Sequence, residues 1–423
     1  VSAVLFENVR VFDGRSERLS GPQNVLVVGN TIESMSATEV TPPADAQLTR
    51  VDGGGRTLMP GLIDAHTHMA MSVLPLPVLL TADPNYTQIV QARAAGEMLL
   101  RGFTSARDLS GPTFGLKRAI DEVRIPGPRI WPSGAAISQT SGHADYRSHF
   151  DLPRVPGTPA HFSERYGYSV IADSPDEVRR GVREQLLRGA SHIKLMAGGG
   201  VSSPSDPLDV TQYSEAEIRA AVEAAENWGT YVTVHAYTPR AIEQAIRAGV
   251  RCIEHGQLAD EASAKLMAER GIWWSLQPFL EDEDTTPFPE GSANRAKQRQ
   301  MTSGTDRAYE LARQYKVRTA FGTDTLFDAR IASRQGAQLT KLVRWYTPAE
   351  VLKMATGDNG ELLALSGLRS PYPGKLGVVE AGALADLLLV DGDPLADIKL
   401  IEDPAKNFVV IMKDGRLYKN LLR

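Results

Sequence analysis

One cysteine, Cys252, stands in a chain of 423 residues, so no intrachain disulfide framework holds this protein together. That suits the cytoplasm and leaves a periplasmic or secreted location open. The first residue is Val1 rather than methionine, from which we expect an N-terminal segment to have been removed or omitted. Long apolar runs are also missing. None reaches the roughly 18 residues that span a bilayer, and the most apolar stretch, Ser72 to Leu80, is broken by Pro75 and Pro77. Positive charge is not in excess: the formal net charge is -5, which argues against a nucleic-acid or anionic-membrane partner. Low-complexity tracts are absent, and 42% hydrophobic with 23% charged residues is a globular balance. The length exceeds one ordinary core and suits a large barrel with an accessory domain.

The two ends share one texture. Val4–Phe12 followed by Asp13-Gly14, and Val25–Val28 followed by Gly29-Asn30, read as strands closed by turns. Ala385–Val390 and Phe408–Lys413, each followed by its own turn signal, repeat the pattern. We therefore expect residues 1–57 and 369–423 to meet in one small β-sandwich domain, with 58–368 as the insertion. That middle part alternates apolar runs with amphipathic helices, the pattern of βα units. Candidate strands are Leu58–Ile63, Phe103–Ala106, Arg129–Trp131, Ile193–Met196, Tyr231–Val234, Cys252–Glu254, Trp273–Leu276 and Arg318–Phe321. Helices lie between them. Ser214 and Glu217 form a capping box, and Gly249 and Gly271 stand as C-terminal stops. The fold class this predicts is α/β, a (β/α)8 TIM-like barrel. Gln139–Tyr168 lacks periodicity and carries three histidines, His143, His149 and His161; it reads as a lid or wall over the barrel mouth.

Leu58-Met59-Pro60-Gly61-Leu62-Ile63-Asp64-Ala65-His66-Thr67-His68 ends in histidines one residue apart. In a strand, residues i and i+2 face the same side, so His66 and His68 converge on one point. Alone, the pair is as readily two hydrogen-bonded loop histidines, because two ligands do not make a metal site. Barrels of this type place reacting groups at the C-terminal ends of their strands. Those ends supply Lys194 in Ile193-Lys194-Leu195-Met196, His235 in Val-Thr-Val-His, His255 in Cys-Ile-Glu-His, and Asp324 in Phe-Gly-Thr-Asp. A lysine inside an apolar strand must find a partner or lose its proton. A neutral amine can take up CO2 to give a carbamate, an oxygen donor able to bridge two metals; the alternative is a salt bridge to Asp324.

This set resembles the metal-dependent amidohydrolase superfamily over nearly the whole chain. Ile193–Val201, Ser203-Pro204 and His235–Ala241 are most similar to the branch of Xaa-Pro dipeptidases and metal-dependent carboxypeptidases that includes ochratoxin-hydrolysing amidases. The resemblance implies a binuclear site, most simply zinc. His66, His68 and Asp324 would hold one ion and His235 and His255 the other, with carboxylated Lys194 and a hydroxide bridging them. Asp324 would also act as general base, and His143 and Tyr237 would bind the substrate's α-carboxylate. The implied reaction is cleavage of N-acyl amino acids or dipeptides with a free carboxylate by the bridging hydroxide, with ochratoxin A hydrolysis to phenylalanine within its range. The resemblance also implies a homo-oligomer, with an octamer among the forms.

Two rival readings are a one-metal deaminase or imidazolonepropionase-like enzyme and a non-catalytic scaffold. Lys194 opposes the first, and the presence of all six ligand candidates opposes the second. Gly53–Gly55 and Gly198–Gly200 lack the spacing of a phosphate loop; the latter reads as close backbone approach to metals or substrate. Trp273-Trp274 reads as core, Glu281–Asp284 as a solvated loop, and Arg240 as a solvated cation. Arg295, Lys297, Arg299, Arg307 and Arg313 read as an exposed helix face.

Overall fold

In a computed structural model, residues 2–151 and 153–422 are described. The chain opens with β1 (Ser2–Val11), β2 (Pro22–Val28), β3 (Thr31–Ser36), β4 (Gln47–Asp52) and β5 (Thr57–Pro60). It continues through β6 (Leu62–Thr67), β7 (Phe103–Asp108), β8 (Arg129–Pro132), β9 (Ala136–Ser138), β10 (Ser169–Ile171) and β11 (Ile193–Met196). Next come β12 (Val232–Ala236), β13 (Cys252–His255), β14 (Trp273–Leu276) and β15 (Thr319–Phe321). It closes with β16 (Leu387–Val390), β17 (Phe408–Lys413) and β18 (Arg416–Asn420).

Strands from both ends form one eight-stranded sheet in the order β18-β17-β16-β5-β1-β2-β3, with β4 branching from β1. It has its own core, including Phe6, Val25, Ile32, Leu387, Leu389 and Val410. The run expected as a single strand over Leu58–Ile63 is two strands. β5 pairs with β16 and β1 in the terminal sheet, whereas β6 pairs with β7 in the barrel. Gly61 divides them, donating its N–H to Asp386 O at 2.8 Å. A Cβ on Gly61 would lie 1.9 Å from Thr104 Oγ1, so only glycine lets the chain pass between the sheets this close to β7.

The middle of the chain is a parallel barrel. β6-β7-β8 make one ladder and β10-β9-β11-β12-β13-β14-β15 the other. β8 and β9 are two halves of one strand position, kinked where Gly134 adopts φ +71°. Ser191 N donates to Pro132 O at 2.8 Å, joining β8 to the segment that leads into β11. With that position counted once and β10 lying beyond β9, the barrel has the expected eight strand positions. Its strands are buried almost end to end, as strands covered on both faces should be. Ser214 and Glu217 do form a capping box, and Gly249 and Gly271 end their helices at φ 104° and 63°. No helix among the described residues is long and apolar enough to cross a membrane.

Gln139–Tyr168 holds one short helix, Phe162–Arg165, and its residues 143–148 line the mouth of the barrel; Leu152 lies outside the described residues. Trp273 and Trp274 are buried, and Trp274 Nε1 donates to His255 O at 2.7 Å.

The seam between β15 and β6 is closed by a side chain. Asn359, fully buried, donates Nδ2 to Ile63 O at 2.7 Å and to Phe321 O at 2.8 Å. Its Oδ1 accepts Phe321 N–H at 3.1 Å. Asn359→Leu leaves these buried backbone groups without partners, each costing about 1–3 kcal/mol. We expect a loss of at least about 3 kcal/mol in urea unfolding; an unchanged midpoint would show that the seam does not depend on this residue.

Candidate metal centre

Asp64 and His66 lie on β6, whose register against β7 breaks between Asp64 and Thr67, and His68 lies just past the strand end. Lys194 lies within β11, His235 within β12, and His255 ends β13. Asp324 follows β15 and donates its N–H to His66 O at 2.8 Å, which locks the two ligand-bearing segments together. Gly322 makes that approach possible, since a Cβ there would meet His66 N at 2.5 Å. His255 and Asp324 have φ of 74° and 51°. Left-handed backbone is costly for side-chain-bearing residues, and here it falls on two strand ends of one site, either side of β14.

Asp324 Oδ1 lies 3.1 Å from His66 Nε2 and 2.9 Å from His68 Nε2, and the two imidazole nitrogens are 3.2 Å apart. Asp324 Oδ1 nevertheless has no hydrogen-bond partner, and neither has His68 Nδ1. Three electron-pair donors thus form a near-equilateral triangle. Ligands around a tetrahedral cation with bonds of ~2.0–2.1 Å are spaced by about 3.3 Å, so the residues fit a divalent ion. His66, His255 and Asp324 also offer ligand atoms within 4.8 Å of one another.

One ring nitrogen of each of three histidines, His66, His255 and His235, is anchored. His66 Nδ1 donates to Glu254 Oε2 at 2.8 Å, His255 Nδ1 to Gln277 Oε1 at 2.7 Å, and His235 Nε2 to Gly199 O at 2.9 Å. Each bond fixes a tautomer and leaves the other nitrogen's lone pair free. Burial lowers His68 to about 4 and holds His235 and His255 well below the usual histidine range, so these imidazoles are neutral at neutral pH. Burial alone would raise the Asp324 carboxyl, but the surrounding imidazoles outweigh it and keep the group ionised. Lys194 is 1% exposed, and burial lowers its ammonium below the ordinary lysine value against the pull of Glu254 and Asp324. The close contacts of the Asp324 carboxylate are with the His66, His68 and His255 rings, and the salt bridge offered as an alternative for Lys194 does not form.

His68, Lys194, His235, His255 and Asp324 face a cavity of about 670 Å³, with His143 and Tyr237 also in its lining. The ring of His143 stacks on His235 at 4.2 Å, and its Nδ1 lies 2.6 Å from Ser203 Oγ and 3.3 Å from Asp206 Oδ2. A Cβ on Gly200 would sit 2.2 Å from that ring, so the glycine run makes room for a histidine. Tyr237 stacks on His255 at 5.1 Å, and burial raises its hydroxyl well above the usual range, keeping it a donor. Arg240 is exposed.

Two surface readings are corrected. Glu281–Asp284 is not a free loop: Asp284 lines the cavity, paired with Arg334 at 2.5 Å and Lys341 at 3.4 Å. Arg295 is buried, bridging Glu281 and Glu290. Lys297 donates to the carbonyls of Gly200, Ser203 and Asp206, whereas Arg299, Arg307 and Arg313 are exposed. Sequence reasoning also passed over Glu254, Gln277 and Arg107. A charged residue within the apolar strand Phe103–Asp108 carried the same signal as Lys194.

The sequence model of the Amidohydrolase family matches residues 57–418. The chain belongs to this family. An ochratoxinase from Aspergillus niger is 34% identical over 380 residues, covering 86% of this chain and 75% of the relative. A prolidase crystallised with N-methylphosphonate-L-proline is 36% identical with a TM-score of 0.89, covering 99% of this chain and 100% of that one. Another amidohydrolase crystal structure has the same identity and TM-score and covers 100% of both chains. This amidohydrolase is thus a hydrolytic enzyme acting on amide bonds, of the branch that holds ochratoxinase and the prolidases.

Gly322→Ala forces β15 away from His66. We expect the variant to stay folded by circular dichroism and to bind divalent metal at least about tenfold more weakly. Metal affinity equal to that of the parent protein would show that the close approach is dispensable.

Proposed function

We propose that this amidohydrolase cleaves the amide bond of N-acyl amino acids or dipeptides that keep a free C-terminal carboxylate. The observation that carries this reading is the triangle of His66, His68 and Asp324 at the floor of the cavity, with a buried lysine and two further neutral imidazoles beside it. In this reading His66, His68 and Asp324 would hold one ion and His235 and His255 the other. Lys194, as the carbamate formed when its neutral Nζ attacks CO2 and releases a proton, would supply a further oxygen donor. Zinc suits an imidazole and carboxylate set. Divalent ions bound there would supply a water acidified to a pKa near ~7 and would polarise the amide carbonyl.

The chain's own residues do the rest. Asp324, held ionised, takes a proton from the attacking water and hands it to the departing amine nitrogen. Tyr237 Oη and the imidazole of His143 hold the carboxylate of the leaving amino acid, which fixes the acyl carbon over the floor. Met71, Leu76, Leu80, Phe279, Phe288 and Phe327 give the cavity apolar walls that exclude water and accept a bulky acyl group. The names of the relatives support the substrate class: an ochratoxinase, and a prolidase holding a phosphonyl group on the nitrogen of proline. Ochratoxin A, with phenylalanine as leaving group, falls within that class.

Metal-loaded protein offered N-acyl amino acids and Xaa-Pro dipeptides should release the free amino acid, and a chelator should stop the release. Absence of turnover across such a panel would overturn the assignment. Asp324→Asn should lose about 10²–10⁴ in kcat while retaining metal; normal turnover would remove Asp324 from the proton-carrying role. Tyr237→Phe should raise KM about 10-fold or more for free-carboxylate substrates, the worth of a hydrogen bond to a charged group. Amidated substrates should be unaffected, and an equal effect on both would mean that the hydroxyl does not bind the carboxylate.

A further inference from the structure

Beneath the cavity floor, outside the ligand set, two oppositely charged side chains are buried without any exposure: Arg107 on β7 and Glu254 on β13. They pair through Arg107 Nη2 and Glu254 Oε1. Glu254 Oε1 also accepts the Thr233 hydroxyl at 2.6 Å, and Oε2 accepts Nδ1–H of His66 at 2.8 Å. Arg107 donates Nε to Ala65 O at 2.7 Å and Nη1 to the Tyr231 hydroxyl at 3.1 Å. The pair therefore grips His66 twice, by its ring through Glu254 and by the preceding carbonyl through Arg107.

Stability does not explain this arrangement. Removing two ions from water cancels most of their mutual attraction, and apolar replacements of such pairs are often neutral or stabilising. An apolar pair could not, however, accept Nδ1–H of His66 and so turn the Nε2 lone pair toward His68 Nε2 and Asp324 Oδ1. The second pair of imidazoles is anchored elsewhere, His235 on Gly199 and His255 on Gln277.

We infer that Arg107 and Glu254 form a positioning pair that sets the affinity for the cation held by His66, His68 and Asp324, and leaves the cation at His235 and His255 largely untouched. The inference rests on the two-ion reading above. One site would then load independently of the other, its strength decided by an ion pair that touches neither metal nor substrate.

Zinc titration of the metal-free protein in competition with a chromophoric chelator tests it, alongside thermal melting of the metal-free form. The paired variant Arg107→Met/Glu254→Leu removes both charges and the acceptor. It should stay folded, melting below the parent because the Ala65 carbonyl and His66 Nδ1–H lose their partners. It should bind one of two zinc ions about 10–100-fold more weakly, the other unchanged. Arg107→Met/Glu254→Gln restores a neutral acceptor and should show a smaller loss, since a charge-assisted bond is roughly twice as strong as a neutral one. Should the leucine variant not fold, the glutamine variant is compared with the parent directly. Parental affinity for both ions in the folded variants, or equal weakening of both, overturns the inference. A parent that binds one zinc, weakened in the variants, refutes the two-ion reading and leaves the positioning pair standing; a parent that binds none refutes both.

Discussion

Everything at the mouth of this barrel depends on how closely β15 can press against β6. The hydrogen bond from Asp324 N to His66 O closes the ring of strands and, in the same stroke, brings a carboxylate within 3.1 Å of two imidazoles. Gly322 supplies the clearance and Asn359 laces the seam from below. Asp64 adds to it, accepting Thr323 N at 3.0 Å, the Thr323 hydroxyl at 2.7 Å and His66 N at 3.1 Å. Barrel closure and assembly of the candidate site are one physical event.

The second constraint is the burial of charge. Water is largely excluded from the floor, which keeps three imidazoles neutral and pulls Lys194 toward its free amine. Those are the states in which nitrogen donates a lone pair. The same exclusion would make an isolated Glu254 or Arg107 prohibitively costly, so each is answered by the other and by neighbouring hydroxyls. Around the rim the solution differs. Ion pairs from Arg334 and Lys341 to Asp282–Asp284 tie the loop after β14 to the segment after β15. Lys297 and Asn294 hold the Gly200–Asp206 loop on which His143 rests.

The sequence by itself determined the alternation of strands and helices, the sharing of one sheet between the two ends, and the residues that gather at the mouth. It could do so because these depend on local periodicity and on polar residues placed where apolar ones are expected, as with Lys194 in Ile-Lys-Leu-Met. Where two sheets meet within one apolar run, periodicity carries no mark of the change, so the split at Gly61 was invisible. Only the tertiary structure decided the partners: that Glu254 reaches His66 across 188 positions, that Gln277 anchors His255, and that Lys297 turns from solvent to three carbonyls. Hydrogen-bond pairing between distant strands is set by barrel shear and by which side chains share an interior layer. Neither quantity is written in the order of residues along a single strand.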